Sequence, residues 1–189
     1  MTVITNNSEL NRAIQLTIDA FKAGGKLLVC GNGGSSSDSA HIVGELVKGF
    51  LKKRTIPAEW KDAVGEYPLQ VGLPAIDLTA QSAVISAINN DQGGACVYAQ
   101  QVGAYGKTGD VFIGISTSGN AENVLIAMKL ANALGMVTIA MTGKGGGKLG
   151  KICNVLLESD ETETYKVQED HIRMYHQYCA KIEEYFFAE

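Results

Sequence analysis

The sequence is sparing with the residues that most often announce a chemistry: the whole chain has three histidines, three prolines and one tryptophan. Its four cysteines, Cys30, Cys96, Cys153 and Cys179, stand far apart with no Cys-x-x-Cys pair. That spacing argues against a zinc ribbon or a disulfide framework, and free buried thiols in a reducing compartment are expected. No apolar run approaches the ~18–20 residues a membrane-spanning helix needs. The opening MTVITNNSELNR has no basic stretch leading into an apolar one, so no signal peptide is expected and a cytoplasmic location is. Positive charge is short too: 16 Lys and Arg against 20 Asp and Glu leave a net charge of −4. Nucleic acid and acidic membranes both call for a basic face, so neither is an expected partner. Low-complexity tracts and solenoid-period repeats are missing as well.

Glycine is in excess. The chain has 22 in 189 residues, well above the usual ~7 %, and they cluster where loops are expected. With 46 % hydrophobic and 19 % charged residues the balance is that of an ordinary globular chain. One domain over residues 1–189 is expected, long enough to bury a core without staples.

Residues 8–24 read as an amphipathic helix capped by Asn7 or Ser8, with Leu10, Ala13, Ile14, Ile18 and Phe21 on one side and Gly24-Gly25 as the stop. The run Lys26–Cys30 is apolar on both faces, as a buried parallel strand requires. It leads into GNGGSSS at 31–37 and then a helical pattern from Asp38 to Lys52. The same unit recurs. Strands are expected at 75–79, 110–115, 136–141 and 154–157, and helices at 82–89, 121–134 and about 161–187. Strands alternating with helices give an α/β fold with a parallel sheet covered on both faces. Residues 52–74, which carry Trp60 and all three prolines, read as an inserted loop with one helical turn.

Two loops leave strand ends and enter helices: GNGGSSS at 31–37 and STSGN at 116–120. Ligands of parallel sheets bind at those ends. Glycine lets backbone approach closely, helix N-termini present free amides, and Ser and Thr add donors, which together favour phosphate. Neither loop is a Walker sequence or a GxGxxG dinucleotide loop, which disfavours a nucleotide-binding oxidoreductase. The plainer reading is two tight turns with serine caps. His41 and Glu45 are four apart on the helix after the first loop, so imidazole and carboxylate share a face and can meet one metal or one substrate; the plainer reading is a surface hydrogen-bonded pair. The other histidines, His171 and His176, lie on the last helix. Gln168 and His176 are separated there by roughly 12 Å of rise and about 80° of rotation, a weak ligand pair on spacing alone. His171 reads as a capping or core hydrogen-bond partner, and Asn90-Asp91 as an ordinary helix end.

Gly31-Asn32-Gly33-Gly34-Ser35 with Asp38, His41 and Glu45 resembles the first active-site segment of the phosphoheptose isomerases, members of the sugar-isomerase (SIS) superfamily. Gly114–Asn120 resembles their phosphate loop, and Gln168-Glu169 with His176 their C-terminal helix motif. The resemblance runs from about residue 8 to the end. It implies a three-layer α/β/α sandwich of flavodoxin-like topology, and a cytoplasmic homotetramer with active sites between subunits. The implied reaction converts sedoheptulose 7-phosphate to D-glycero-D-manno-heptose 7-phosphate, a step of heptose biosynthesis. It also implies that Asn32, Gly33, Gly34, Ser35, Glu45, Asn90, Asp91, Ser116, Thr117, Ser118 and Gln168 contact substrate. His41, Glu45, Gln168 and His176 are then the ligands of one Zn2+ per subunit. On that basis Glu45 is assigned as base and His176 as the group that protonates or polarises the sugar oxygens. Because a bound cation lowers a carboxylate's pKa, ligation and base duty at Glu45 pull in opposite directions. Three departures stand out: Ala121 where many relatives carry serine, a later start with the first helix of those relatives missing, and a longer 52–74 segment. An isomerase of another sugar phosphate, or a non-catalytic SIS regulator, are the rival readings. The regulators lack counterparts of Glu45 and His176.

Overall fold

The computed structural model describes residues 7–188, with the Asn7 side chain left aside. In chain order the elements are α1 (Asn7–Lys22), β1 (Leu27–Gly31), α2 (Gly34–Val47), α3 (Ala58–Val64), β2 (Ala75–Asp77) and α4 (Ser82–Gln92). A single 3-10 turn at Gly94–Cys96 follows, then α5 (Val97–Tyr105), β3 (Val111–Ser116), α6 (Glu122–Ala133), β4 (Val137–Thr142), β5 (Val155–Glu158) and α7 (Thr164–Phe186). Half of the opening MTVITNNSELNR, Met1–Asn6, lies outside the described residues, as does the Asn7 side chain.

The five strands pair in parallel in the order β2-β1-β3-β4-β5, the flavodoxin-like order expected. Alternation along each strand divides the core. Leu27 and Val29 of β1, with Val111, Ile113 and Ile115 of β3, face α1, α2 and α7. Leu28 and Cys30, with Phe112, face α4, α5 and α6. Every residue of β1 and β3 is buried, which is why both read as continuous apolar runs. Each large aliphatic side chain hidden this way contributes about 1.5–3 kcal/mol, so the two layers hold the sheet from both sides.

The structure corrects several boundaries. The first helix runs 7–22 rather than 8–24, β2 stops at Asp77, α4 runs on to Gln92, and the last helix spans 164–186. More consequential is α2, which begins at Gly34 and ends at Val47, not at Asp38 and Lys52. Only Asn32 and Gly33 separate it from β1. So tight a turn needs glycine at 31, because a Cβ there would lie 2.6 Å from the Ser35 carbonyl oxygen. The 52–74 segment holds the two-turn α3 rather than a single turn. Helix α5 was not expected. All four cysteines are free; Cys30 and Cys179 are buried, Cys96 and Cys153 half-buried.

Candidate active site

In this strand order β1 and β3 send their chains to opposite faces of the sheet, β1 into α2 and β3 into α6. The crevice between such diverging connections is where parallel sheets take ligands, and both glycine-rich loops border it. At the first loop, Asn32 and Asn123 exchange reciprocal amide hydrogen bonds of 2.9 and 3.0 Å. The Tyr98 hydroxyl lies 2.6 Å from the Gly31 carbonyl and 3.0 Å from Asn32 Oδ1, and its one proton serves the shorter bond. The loop is thus held by two residues that the sequence does not single out, Asn123 on the Asn32 side chain and Tyr98 on the Gly31 carbonyl.

The second loop owes its character to where its carbonyls go. Ser116 O accepts from Gly119 N, Thr117 O from Gly143 N and Gly119 O from Leu149 N, at 2.8–2.9 Å. Ser118 O accepts from Asn120 Nδ2 at 2.7 Å. With those carbonyls occupied the loop turns few acceptors outward, and the Ser116 and Ser118 hydroxyls, which accept from Ala121 N at 3.4 Å and Asn120 N at 3.2 Å, still have protons to offer an anion. Ala121 is the N-cap of α6 and makes no side-chain cap bond; in the first turn the Val124 amide is taken by Asn123 Oδ1 at 3.0 Å. The loop from Gly143 to Gly150 braces this arrangement. Gly119 has φ +64°, and a Cβ on it would fall 2.2 Å from the Gly146 carbonyl oxygen.

The titratable groups gather where α2 lies along α7. His41 Nε2 and Glu45 Oε1 are 3.1 Å apart, with side chains 43 % and 12 % exposed; Lys48 Nζ reaches Glu45 Oε2 at 3.2 Å. The His176 ring stands 5.0 Å from that of His41, centroid to centroid. On the other side, the Tyr175 hydroxyl is 2.9 Å from His41 Nδ1 and 3.4 Å from Asp38 Oδ1. This chain from a buried carboxylate through a phenol to an imidazole fixes the His41 ring and keeps Nε2 toward Glu45. Burial pushes the Asp38 carboxyl up, against the Tyr175 bond that draws it down. Burial and the neighbouring His41 both lower the His176 imidazole, with Glu45 opposing.

The two helices run in the same direction, so Gln168 meets α2 at Gly34 and His176 meets it at His41. The Gln168 amide lies so close that a Cβ on Gly34 would be 2.1 Å from its nitrogen. That alignment resolves the awkward spacing of Gln168 and His176, since each addresses a different turn of α2. Asn90 and Asp91 are not brought to this cluster. They sit exposed at the end of α4, on the other face of the sheet, and bond to each other at 2.8 Å.

The model of the SIS domain family matches residues 1–61 and 62–143. A phosphoheptose isomerase of Clostridium acetobutylicum is 39 % identical over 181 residues, covering 96 % of this chain and 84 % of that protein. Among solved structures, a phosphoheptose isomerase from Neisseria gonorrhoeae superposes with a TM-score of 0.81 at 34 % identity, over 95 % of this chain and 88 % of that one. One from Francisella tularensis gives 0.80 at 31 % identity, over 95 % and 87 %. The chain belongs to the phosphoheptose isomerase family of SIS-domain proteins. It is therefore a sugar-phosphate isomerase, with the three-layer α/β fold of that family. No helix among the described residues is long and apolar enough to cross a membrane.

The donor set of this isomerase suits a metal such as zinc: two imidazoles, a carboxylate and an amide oxygen at His41, His176, Glu45 and Gln168. As arranged, His41, Glu45 and His176 close on one another while Gln168 stands at Gly34, and among the described residues no three His, Cys, Asp or Glu side chains are spaced to hold an ion.

His171 stands apart. It is fully buried, and neither ring nitrogen has a partner with good hydrogen-bond geometry among the described residues, the Thr142 backbone being the polar group near enough to act on it. Burial lowers its imidazole below the ordinary value, against the Thr142 backbone and Asp170, which raise it. The unfolded chain then takes up the proton first. Stability linked to His171 is complete above the unfolded value of ~6.5 and is lost as pH falls through it toward the folded value. Urea unfolding at about pH 7.5 and about pH 5.5 is expected to show the wild type losing more stability on acidification than His171→Leu. Equal losses would rule the linkage out.

Proposed function

We propose that this isomerase interconverts sedoheptulose 7-phosphate and D-glycero-D-manno-heptose 7-phosphate, with Glu45 as base and His176 as acid. The observation that carries the reading is the placement of the Glu45 carboxylate and the His41 and His176 imidazoles together, where α7 lies along the helix that follows a phosphate-type crevice. The heptose assignment is supported by the names of the relatives.

The chemistry follows from what a 2-ketose must do to become an aldose. Glu45 takes a proton from C1, and the C–H electron pair forms the C1–C2 double bond of an enediol. His176 supplies a proton to the oxygen at C2 as that carbonyl opens. In the second half the C1 hydroxyl gives its proton back to His176, C1 becomes the aldehyde, and Glu45 returns a proton to C2. Atoms and electrons balance with no redox partner. The depressed imidazole favours a neutral His176 that polarises the oxygen through its N–H. The ester phosphate sits on Ser116, Thr117 and Ser118, and Asn32, Gly33, Gly34, Ser35 and Gln168 line the sugar. Asn90 and Asp91 belong to the same reading only if a neighbouring subunit contributes them, in keeping with a cytoplasmic homotetramer.

His41, Glu45, Gln168 and His176 are the residues that would hold one Zn2+ per subunit, which when bound supplies Lewis-acid polarisation of the sugar oxygens.

Proton NMR of the purified protein in D₂O with five-, six- and seven-carbon ketose phosphates tests this. The seven-carbon ester is expected to be converted fastest, with deuterium entering at C2, and with turnover lost to a chelator and restored by zinc. Preference for a shorter sugar overturns the heptose assignment. Chelator-indifferent turnover overturns the metal, and tight binding without conversion favours a regulatory protein.

A further inference from the structure

A buried ion pair outside the reacting cluster ties its two halves together. Arg54 Nε meets Glu183 Oε1 at 3.0 Å with side chains 0 % and 1 % exposed. Burying such a pair is expensive unless its other polar atoms are bonded, and here every guanidinium nitrogen and both carboxylate oxygens have a partner. The Arg54 fork turns to the C-terminal end of α2: Nη1 donates to Leu46 O at 2.5 Å and Nη2 to Glu45 O at 3.0 Å. Those are helix-end carbonyls without a partner in the helix, at the negative end of its dipole. One of them belongs to the backbone of the assigned base.

Glu183, on α7, takes the other direction. Its carboxylate accepts three consecutive backbone amides, Phe50 N at 2.8 Å, Leu51 N at 2.7 Å and Lys52 N at 3.1 Å. Burial alone would raise this carboxyl, yet the amides and Arg54 hold it below its usual range. The turn fixed in this way carries the Phe50 ring, which lies 5.6 Å from the His176 ring at a tilt of 35°. Arg54 also closes the neck of the inserted segment, through Gln70 Oε1 and the Val71 backbone, and lies over the Phe187 ring.

We propose that Arg54 and Glu183 are positioning residues for the isomerisation: one ion pair fixes the turn of α2 that bears Glu45 and the Phe50 ring against which His176 rests. Neither touches substrate. The proposal rests on the isomerase reading above, and two readouts separate them.

Arg54→Lys keeps the charge but loses the fork, and Phe50→Leu breaks only the last link while leaving the backbone amide to Glu183. In both, kcat is expected to fall by about tenfold with KM within about twofold, because groups misplaced by a fraction of an ångström lose rate rather than ground-state binding. Thermal unfolding establishes that each variant is folded. The second readout needs no turnover. With three histidines in the chain, ¹⁵N imidazole spectra are simple, and Arg54→Lys is expected to move the His176 signals while those of buried His171 stay in place. A folded Arg54→Lys with wild-type kcat and an unmoved His176 overturns the proposal. If Arg54→Lys does not fold, undiminished kcat in Phe50→Leu does the same. Should the wild type itself turn over no sugar phosphate while His176 still shifts in Arg54→Lys, the functional reading fails and the coupling stands.

Discussion

Glu45→Gln is expected to abolish isomerisation, with kcat down by about 10²–10⁴-fold, the usual cost of removing a positioned general base. The exchange is nearly isosteric and leaves an amide where the carboxylate was. What it removes from the folded state is small. The Glu45 side chain is 12 % exposed, while its partners are more open, His41 at 43 % and Lys48 at 61 %. Ion pairs of that exposure contribute about 0–1 kcal/mol, far below the ~3–5 kcal/mol that the rate loss represents. Binding of inorganic phosphate, carried by the loop after β3, is expected to stay as in the wild type. Turnover of the ketose phosphate and deuterium uptake at C2 should vanish together, since both need the same proton abstraction. If Glu45→Gln still exchanged deuterium at a wild-type rate, the base would have to be another group.

The parts of this site that could be read from the sequence are those whose geometry is local. His41 and Glu45 face one another because i and i+4 share a helix side, and the two glycine-serine loops declare themselves by composition. The five strands were legible because β1 and β3 are buried on both faces and so carry no polar interruption. Helix α5 escaped notice for a related reason. Val97, Tyr98, Ala99, Gln101 and Val102 are all buried, so no polar face marks a 3.6-residue period, and Gln101 hides by donating to Leu78 O and Val97 O. The start of α2 was misplaced because Gly34 and three serines are poor helix formers, and tertiary packing against Gly31 and Gln168 overrides that preference. The residues that hold the site were least visible. Asn123 meets Asn32 across 91 residues of chain and Arg54 meets Glu183 across 129, and no local pattern records a contact at that range. The parallel alignment of α7 on α2, which sets Gln168 against Gly34 and His176 near His41, is likewise a property of two helices and not of either one.

The loop after β3 yields the second large effect. Ser118→Ala removes one hydroxyl donor to a charged group and is expected to weaken phosphate-ester binding by about 1–3 kcal/mol. Gly119→Ala adds only a methyl, yet its effect on the same affinity is expected to be larger. The residue sits at φ +64°, where an L side chain is strained by about 1–2 kcal/mol, and the new Cβ would lie 2.2 Å from the Gly146 carbonyl and 2.9 Å from Gly147 Cα. Both obstacles are backbone, so no side-chain rotation relieves them. The 116–120 loop and the 143–150 loop must part, and the bond from Leu149 N to Gly119 O at 2.9 Å is the first to go. Freed carbonyls then turn toward the space where an anion would sit, adding repulsion to the loss of ordered donors. Calorimetric titration with inorganic phosphate and with the ketose phosphate is expected to rank the affinities wild type, Ser118→Ala, Gly119→Ala in falling order. The affinity for the unphosphorylated ketose should not change across the three. Equal affinity of the wild type for phosphorylated and unphosphorylated sugar would remove this loop from the phosphate role. The same ranking with unphosphorylated sugar would trace the effect of Gly119→Ala to a general collapse of the crevice instead.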